Sequence, residues 1–355
     1  MHVHQFHGVV AYGDAIGNDI LNLRRMLRDL GCLSDIFAEF PQRNFESRAR
    51  SYREYRKVSA PDTVLLCHFS IGYSADILAW LRSLPDRKVL IYHNITPHPF
   101  FAGINDVFHE ATYAGRRQLG ALQPLTVAGW GDSEFNRREL AERGWRNTSV
   151  LPIVFEPAMV DVKPDRAVLE RYSGDGPNIL FVSRIAPNKR VEDVILVFYH
   201  LKKFIEPHAR LLLVGSTDHV GRYVAYLHTL IERLDLTDVI FTGHISRTEL
   251  AAYYRLAHAY LCMSEHEGFG VPLVESMYFD VPVIGYAAAA VPETLGYAGV
   301  LVTRKEHAEI AELVALLASD TPLRARTIQR QRERWQEFTP GALASRLRAC
   351  LETIG

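Results

Sequence analysis

The sequence predicts an α/β protein with two domains, each built on a parallel β-sheet. The chain has 355 residues, and one domain usually takes about 100–200 residues. Short, continuously apolar runs alternate with amphipathic stretches along the chain, which is typical of buried parallel strands joined by helices. This alternation occurs twice, with a break near residues 152–177 where proline and glycine are frequent.

The apolar runs give the expected strands, and the amphipathic stretches between them give the expected helices. The strands predicted in the first half are 9–11, 64–67, 89–92 and 125–128. Those predicted in the second half are 178–182, 211–214, 239–241, 259–262 and 281–284. The clearest predicted helices are 19–30, 191–204 and, after a Thr-Pro start, 340–354.

Composition and charge exclude several classes of protein. Lys and Arg number 40 against 41 Asp and Glu, so the net charge is −1, and no overall field favours nucleic acid. No run of about 18 apolar residues predicts a membrane span, and the first ten residues do not resemble a signal peptide. The spacing of the four cysteines fits neither a zinc ribbon nor a disulfide framework. We therefore expect a cytoplasmic protein.

The segment 267–275, EGFGVPLVE, carries the strongest chemical signal. It lies between a predicted strand and a predicted helix, where a glycine-rich turn and a helix N-terminus together attract phosphate. Glu267 precedes the turn and Glu275 lies in the helix, and carboxylates bind sugar hydroxyls well. A helix-capping turn with two exposed acids is an equally good interpretation of the composition alone.

A second signal is the loop 183–189, which follows the first strand of the second half. It carries Arg184 and Lys189 at the carboxyl edge of the predicted sheet, the edge at which parallel sheets bind ligands. Two cations there can neutralise a diphosphate, both when it binds and when it leaves. Two solvated basic side chains fit the spacing as well. Neither loop is a Walker A or a GxGxxG motif, which disfavours P-loop proteins and dehydrogenases.

The chain carries three segments in order: SRIAPNK (183–189), FTGHISRTELAAYYRLAHAYLCMSEHEGFGVPLVESM (241–277) and VPVIGYAAAAVPETLG (281–296). Together they resemble family 4 of the retaining glycosyltransferases. Glu267 and Glu275, with seven residues between them, match the family's most specific motif. The resemblance is weaker but continuous in the first half, where HNITP and GDAIGND stand at the expected positions.

The resemblance implies the GT-B fold, in which two Rossmann-like domains face each other across a deep cleft. Residues 1–160 would form an acceptor-binding domain and residues 161–338 a donor-binding domain. Residues 339–355 would form a helix that returns to the N-terminal domain.

The resemblance also implies roles for individual residues of the second half. Arg184 and Lys189 match the pair that binds the donor diphosphate, and Glu267 matches the residue that binds the donor sugar. Glu275 matches the residue that holds the ribose hydroxyls. The turn that offers N–H groups to the sugar and phosphates would comprise Gly268, Phe269, Gly270 and Val271. The backbone that frames the nucleobase would comprise Gly243, His244 and Ile245.

In the first half, the resemblance implies that His93, in HNITP, contacts the donor sugar; a structural histidine is the alternative. The loop with Gly13, Asp14 and Gly17 would lie against the phosphates or the acceptor. Because an acid beside a diphosphate is repulsive, Asp14 would orient an acceptor hydroxyl or cap the next helix, and we favour the cap. With Arg184, Lys189 and Glu267, His93 completes the predicted catalytic set.

The implied reaction transfers a hexose, with mannose as one candidate, from a GDP- or UDP-linked donor to a hydroxyl of a glycan or lipid-linked glycan. The product would retain the anomeric configuration and belong to a cell-surface polysaccharide or glycolipid. No cofactor or metal is expected, and the His2, His4 and His7 cluster lacks a partner at ligand spacing. A silent nucleotide-sugar-binding protein and a sugar-nucleotide epimerase are the alternatives.

The basic segment 43–57 is open to two interpretations. It is either a solvated surface or a site for anionic acceptors or lipid headgroups at the inner face of a membrane. The oligomeric state is not predicted.

Overall fold

The computed structural model describes residues 1–10, 15–41, 48–319 and 322–354. The chain divides into two compact units. Unit 1 comprises Met1–His98, Val107–Phe155 and Phe338–Gly355, and unit 2 comprises Pro99–Asp106 and Glu156–Glu337. The change from unit 1 to unit 2 thus comes at 155/156, within the break that the sequence predicts but slightly before residue 160.

Unit 1 is built on a sheet of seven strands in the described part of the chain. They are β1 Val3–Val10, β2 Ile36–Pro41, β3 Arg50–Ser51, β4 Val64–Phe69, β5 Arg87–Tyr92, β6 Ala128–Gly131 and β7 Thr148–Val150. Their order across the sheet is β3-β2-β1-β4-β5-β6-β7, and every neighbouring pair is parallel. The carboxyl ends of β4, β5 and β6 therefore meet at one edge.

The first strand is longer than the sequence predicts. It begins at Val3, whereas the apolar run predicts a start at residue 9. His4, Gln5 and His7 interrupt the apolar pattern, yet all three are buried. Each of the three has at least one specific partner: His4 Nδ1 accepts from the N–H of Asp35 at 3.1 Å, Gln5 Nε2 donates to the carbonyl oxygen of Ile20 at 3.1 Å, and His7 Nδ1 lies 2.8 Å from the carbonyl oxygen of His68. These bonds offset much of the cost of burial.

Five helices accompany the sheet of unit 1 in the described residues: α1 Ala15–Asp29, α2 Ala75–Ser83, α3 Asp106–Leu122, α4 Glu134–Glu142 and α13 Pro340–Glu352. The last of these, α13, lies in unit 1 although unit 2 precedes it in the chain. Its buried residues Leu343 and Leu347 share a core with Val3 and Leu23.

Unit 2 is built on six parallel strands in the described residues, in the order β10-β9-β8-β11-β12-β13. They are β8 Asn178–Val182, β9 Arg210–Val214, β10 Val239–Gly243, β11 Ala259–Cys262, β12 Val283–Tyr286 and β13 Val300–Val302. Its helices are α5 Arg166–Tyr172, α6 Val191–His200, α7 Gly221–Arg233, α8 Arg247–Leu256, α9 Val271–Tyr278, α10 Val291–Leu295, α11 His307–Ala318 and α12 Pro322–Arg334.

A short segment from the first half of the chain, Pro99–Asp106, belongs to unit 2. Ile104 packs against the core of that unit, and Asn105 Nδ2 donates to the carbonyl oxygen of His219 at 2.6 Å. No pattern in the sequence predicts that this segment joins unit 2, because the segment is short and carries no apolar period. Of the helices that the structure describes, none combines the length and apolarity needed to cross a bilayer.

Candidate functional site

Two loops meet at the carboxyl edge of the unit 2 sheet. One follows β8 and the other follows β11, and these strands are neighbours. Lys189 Nζ donates to Glu267 Oε1 at 2.6 Å and to Oε2 at 2.7 Å, with both side chains largely buried. A low-dielectric setting strengthens such a pair. The structure therefore joins the predicted diphosphate-binding cation to the predicted sugar-binding acid.

The backbones of these loops are joined as well. The N–H of Glu265 donates to the carbonyl oxygen of Asn188 at 2.9 Å, and Asn188 Nδ2 donates to the carbonyl oxygen of His266 at 3.0 Å. Asn188 is 4% exposed, so these bonds are shielded from water. They hold Lys189 and Glu267 in register whatever the state of their ion pair.

The glycine-rich turn ends where α9 begins. Gly270 is the N-cap of α9 and has φ +89°, a left-handed conformation that favours glycine. The carbonyl oxygen of Phe269 accepts a hydrogen bond from Thr294 Oγ1 at 2.6 Å. The carbonyl oxygen of Glu267 accepts one from the N–H of Ala290 at 3.3 Å. The turn is thus fixed from outside, which suits a rigid anion site at a helix N-terminus.

Glu275 lies one helix turn farther along α9. Its Oε2 accepts a hydrogen bond from the hydroxyl of Tyr254, on α8, at 2.6 Å. Burial raises the pKa of Glu275, and the Tyr254 bond opposes that rise. The Tyr254 ring stacks on Phe279 with planes 6° apart. Sequence reasoning missed Tyr254, because a tyrosine in an amphipathic helix gives no signal beyond core packing.

The other predicted donor residues also end or follow strands of the unit 2 sheet. Arg184 is exposed, and within the described residues its side chain has no hydrogen bond or ion pair. Gly243, at the end of β10, has φ +69° and forms a bridge with Gly215. His244 is exposed and Ile245 packs partly against the core. Val271 begins α9.

The HNITP segment of unit 1 forms a tight turn after β5. Asn94 has φ +71°, and its Nδ2 donates to Asn136 Oδ1 at 2.6 Å. Asn136 Nδ2 donates to the carbonyl oxygen of Tyr92 at 3.1 Å, and the N–H of Ile95 donates to the Tyr92 hydroxyl at 3.2 Å. The turn is therefore fixed at the carboxyl edge of the sheet, as the sequence predicts.

His93 itself is engaged within unit 1. Its Nδ1 lies 2.9 Å from Asp132 Oδ2, and its Nε2 lies 2.8 Å from His68 Nδ1. Its side chain is 2% exposed. A contact from either ring nitrogen to a donor sugar would require one of these bonds to be exchanged, so the predicted catalytic role of His93 stays a prediction. His68 and Asp132, which sequence reasoning missed, each follow the same kind of apolar run as His93.

One group among the described residues has the composition of a metal site. Ligand atoms of Asp19, His68 and His93 all lie within 4.8 Å of one another. The ring nitrogens of both histidines are already hydrogen-bonded to protein atoms. A metal ion would have to displace those bonds, and the arrangement fits a hydrogen-bonded cluster better.

Asp19 gives the clearest expected pH effect in unit 1. It is buried on α1, and its Oδ1 accepts a hydrogen bond from the N–H of Val154 at 2.9 Å. Burial raises its pKa from 3.8 to about 7. Between these values the native state holds a proton that the unfolded state has released, so this group's contribution to the free energy of unfolding falls as the pH rises.

We therefore expect Asp19→Asn, which keeps the acceptor for Val154, to become increasingly more stable than the wild type between about pH 4 and pH 7. The gain should reach about 2–4 kcal/mol by pH 8. Urea denaturation of both proteins at pH 4.5 and pH 8 measures this gain. His7, whose pKa is lowered to about 4, contributes in the opposite direction, but its contribution cancels when the two free energies of unfolding are subtracted, because both proteins contain it. A stability difference that did not change with pH would contradict this expectation.

The remaining predictions concern two segments near the start of the chain. Gly13 and Asp14 lie outside the described residues, and Gly17 is buried within α1. In the basic segment, Arg50 forms ion pairs with Asp35 and Glu54. The Arg50 side chain is therefore engaged in ion pairs within the protein.

Comparison with known proteins finds a family model that matches most of unit 2. Residues 166–334 match the model described as Glycosyl transferases group 1. N-acetyl-alpha-D-glucosaminyl L-malate synthase of Bacillus anthracis is 29% identical over 184 residues, which are 51% of this chain and 45% of that protein. The serotype-specific mannosyltransferase WbdA of Escherichia coli is 24% identical over 46% of this chain and 20% of its own length. The matched part of this chain thus spans less than half of the length of each of these two relatives.

Solved structures match nearly the whole chain. Sucrose-phosphate synthase from Thermosynechococcus elongatus has a TM-score of 0.73 at 16% identity. The match covers 99% of this chain and 98% of that chain. HepE of Anabaena, in complex with UDP and glucose, has a TM-score of 0.73 at 17% identity over 99% of this chain and 100% of its own. The predicted GT-B fold class is confirmed, with two units each built on a Rossmann-like parallel sheet.

Proposed function

Since residues 166–334 match the model described as Glycosyl transferases group 1, we propose that the chain transfers a hexose from a nucleoside-diphosphate sugar to an acceptor hydroxyl. The observation that carries the proposal is the joined pair of loops in unit 2. They bring a cation, an acid and a glycine-rich helix N-terminus together at the ligand-binding edge of a parallel sheet.

The proposed chemistry assigns charged side chains of unit 2 to each part of the donor. Lys189 and Arg184 neutralise the diphosphate as the bond between its oxygen and the anomeric carbon breaks. Glu267 binds the sugar hydroxyls, and Glu275 binds the ribose hydroxyls. The acceptor oxygen bonds to the anomeric carbon from the face that the diphosphate leaves, and its proton passes to a phosphate oxygen. In this scheme the two cations and the N-terminus of α9 supply the counter-charge, without a metal ion.

The donor and the acceptor are the less specific part of the proposal. A UDP-linked and a GDP-linked hexose both fit, and mannose remains a candidate because a mannosyltransferase is among the relatives. We propose a glycan or lipid-linked glycan as the acceptor, in cell-surface polysaccharide or glycolipid assembly.

A panel of ligands tests the donor site directly. Thermal unfolding is followed with UDP, GDP, ADP and their sugars, because a ligand that binds the native state raises the unfolding temperature. We expect one nucleotide series to raise it in a concentration-dependent way. If none of them does at millimolar concentration, the proposed donor site is wrong.

Tyr254 provides a finer test of the ribose contact. We expect Tyr254→Phe to raise the dissociation constant of the nucleotide about tenfold, since one hydrogen bond to a charged group contributes about 1.5 kcal/mol. Tyr278→Phe is the matched control, because Tyr278 lies on α9 but donates to Asp161 instead. Calorimetric titration measures both variants. Equal affinities in the two variants would show that the Glu275 contact does not depend on Tyr254.

A further inference from the structure

A chain of hydrogen bonds between buried side chains leads from the interior of the unit 1 sheet to its carboxyl edge. It starts at Gln5 on β1, passes through His68 on β4 and His93 after β5, and ends at Asp132 after β6. Gln5 Oε1 lies 2.9 Å from His68 Nε2. The nitrogens of the two histidines are 2.8 Å apart, and His93 Nδ1 is 2.9 Å from Asp132 Oδ2.

The orientation of Gln5 is fixed from α1. Its Nε2 donates to the carbonyl oxygen of Ile20 at 3.1 Å, and a carbonyl oxygen can only accept. The amide oxygen of Gln5 therefore faces His68, and it can only accept as well. A carboxylate at the other end of the chain is likewise an acceptor.

The two acceptor ends determine how many protons the chain needs. Three hydrogen bonds connect Gln5, two imidazole rings and Asp132, and each bond requires one proton. Two neutral imidazoles supply two protons between them. The rings are nearly coplanar, with planes 7° apart and centroids 5.1 Å apart, so the bond between them is well aligned. One further proton must therefore reside in the chain.

We propose that the third proton resides on His93, so that a buried imidazolium–carboxylate pair with Asp132 lies at the carboxyl edge of unit 1. Gln5, His68 and Asp132 are then positioning residues, which act through His93 by fixing its orientation and its charge. The consequence for sugar transfer rests on the proposed function. The consequence for the protonation state of His93 does not.

The surroundings favour His93 over His68 as the site of the charge. His93 faces the Asp132 carboxylate directly, whereas His68 faces an amide and another imidazole. Burial and the nearby histidines lower the pKa of His68 well below its usual value. Asp19, which lies within 4.8 Å of both rings, adds a negative charge only where it ionises, at about pH 7 and above. Buried His7, whose pKa is lowered to about 4, adds no charge at neutral pH.

Asp132 depends on the same proton. Its Oδ1 is buried and, within the described residues, has no hydrogen-bond partner. Burial raises the pKa of Asp132, and the charge of His93 and its hydrogen bond oppose that rise, so in this proposal the ionised form of Asp132 depends on the proton of His93. A buried carboxylate without a counter-charge is strongly unfavourable. The imidazolium in turn places a positive charge beneath the His93–Asn94 turn, where it would favour an anionic ligand.

Nitrogen NMR of the full chain labelled with ¹⁵N-histidine tests the proposal, because a protonated ring nitrogen and a bare one resonate far apart. In the wild type we expect His93 to carry protons on both nitrogens between about pH 6 and 8, although an unperturbed histidine loses its charge near 6.5. His68 should show one protonated and one bare nitrogen. A bare nitrogen on His93 at pH 7 would overturn the proposal.

Asp132→Asn is the decisive variant, because the amide of Asn can donate the third proton and keep all three bonds. We expect His93 Nδ1 to become bare at pH 7 in this variant. His4→Asn is the matched control: His4 also lies on β1 but bonds to the N–H of Asp35, and His93 should keep both protons. If Asp132→Asn does not fold, the wild-type spectrum alone decides.

The activity of the same variant separates this proposal from the proposed function. We expect Asp132→Asn to lower kcat for transfer at pH 7 at least about tenfold, as when one preorganised charge or donor is removed, with the nucleotide dissociation constant nearly unchanged. Absence of transfer from every donor in the wild type would refute the proposed function, and the spectrum would still decide the charge of His93. Normal transfer by an Asp132→Asn protein with a bare His93 Nδ1 would remove the positioning role.

Discussion

Lys189→Met and Glu267→Gln are each expected to lower kcat/KM for sugar transfer by about 10²–10³-fold. Lys189 is a largely buried cation, and both of its bonds go to Glu267, which precedes the glycine-rich turn. Each single change also leaves a buried charge without its partner, which should lower the free energy of unfolding by about 2–4 kcal/mol. Initial rates and urea denaturation measure the two effects separately.

The double variant distinguishes catalysis from stability. Lys189→Met with Glu267→Gln removes both charges, so we expect most of the stability to return while transfer stays low. Lys305→Met is the matched control, because the side chain of Lys305 is as exposed as that of Lys189 and is likewise ion-paired within unit 2. Its partners are Asp193 and Glu265. It should lose stability but keep kcat/KM within about threefold. Restored transfer in the double variant would contradict the assigned roles.

Gly215→Ala is expected to lower the free energy of unfolding by about 3 kcal/mol or more. Gly215 follows β9 with φ +145°, and a Cβ there would lie 1.9 Å from the carbonyl oxygen of Ser183. Ser183 begins the loop that carries Arg184 and Lys189, so the backbone must shift at the candidate donor site. Chemical denaturation measures the loss, and nucleotide titration should show weakened binding.

Gly221→Ala is the control for this change. It begins α7, and a Cβ at this position meets no atom within 4 Å. We expect the free energy of unfolding of the Gly221→Ala variant to be unchanged or raised by up to about 1 kcal/mol, because alanine has a higher helix propensity than glycine. Equal effects at the two glycines would show that the close approach of residues 215 and 183 does not constrain the fold.

Unit 2 is the part that the sequence predicts well, and the reason lies in its strands. Five of its six described strands overlap predicted apolar runs, and four of them, β8, β9, β11 and β12, are almost wholly buried, so local composition reveals them. The sixth, β13, has only three partly buried residues and is not among the predicted strands. The loops after β8 and β11 carry their charges where the spacing predicts. What the sequence could not indicate is the pairing of Lys189 with Glu267, because residues 78 positions apart meet only through the order of strands β8 and β11.

Unit 1 is predicted less completely because polar residues are buried within its strands. The apolar pattern predicts too late a start for β1 because His4, Gln5 and His7 interrupt it, although all three are buried in the sheet. The same property hides the chain from Gln5 to Asp132, whose members come from four separate strands or the loops after them. Their proximity follows from the order of the strands.

Product analysis with the donor selected by the ligand panel tests the central claim most directly. The account predicts that free nucleoside diphosphate and a new glycoside form in equal amounts, that the glycoside retains the donor's anomeric configuration, and that both depend on an added acceptor. Binding without turnover, or conversion of the nucleotide sugar to its epimer when no acceptor is added, would contradict it.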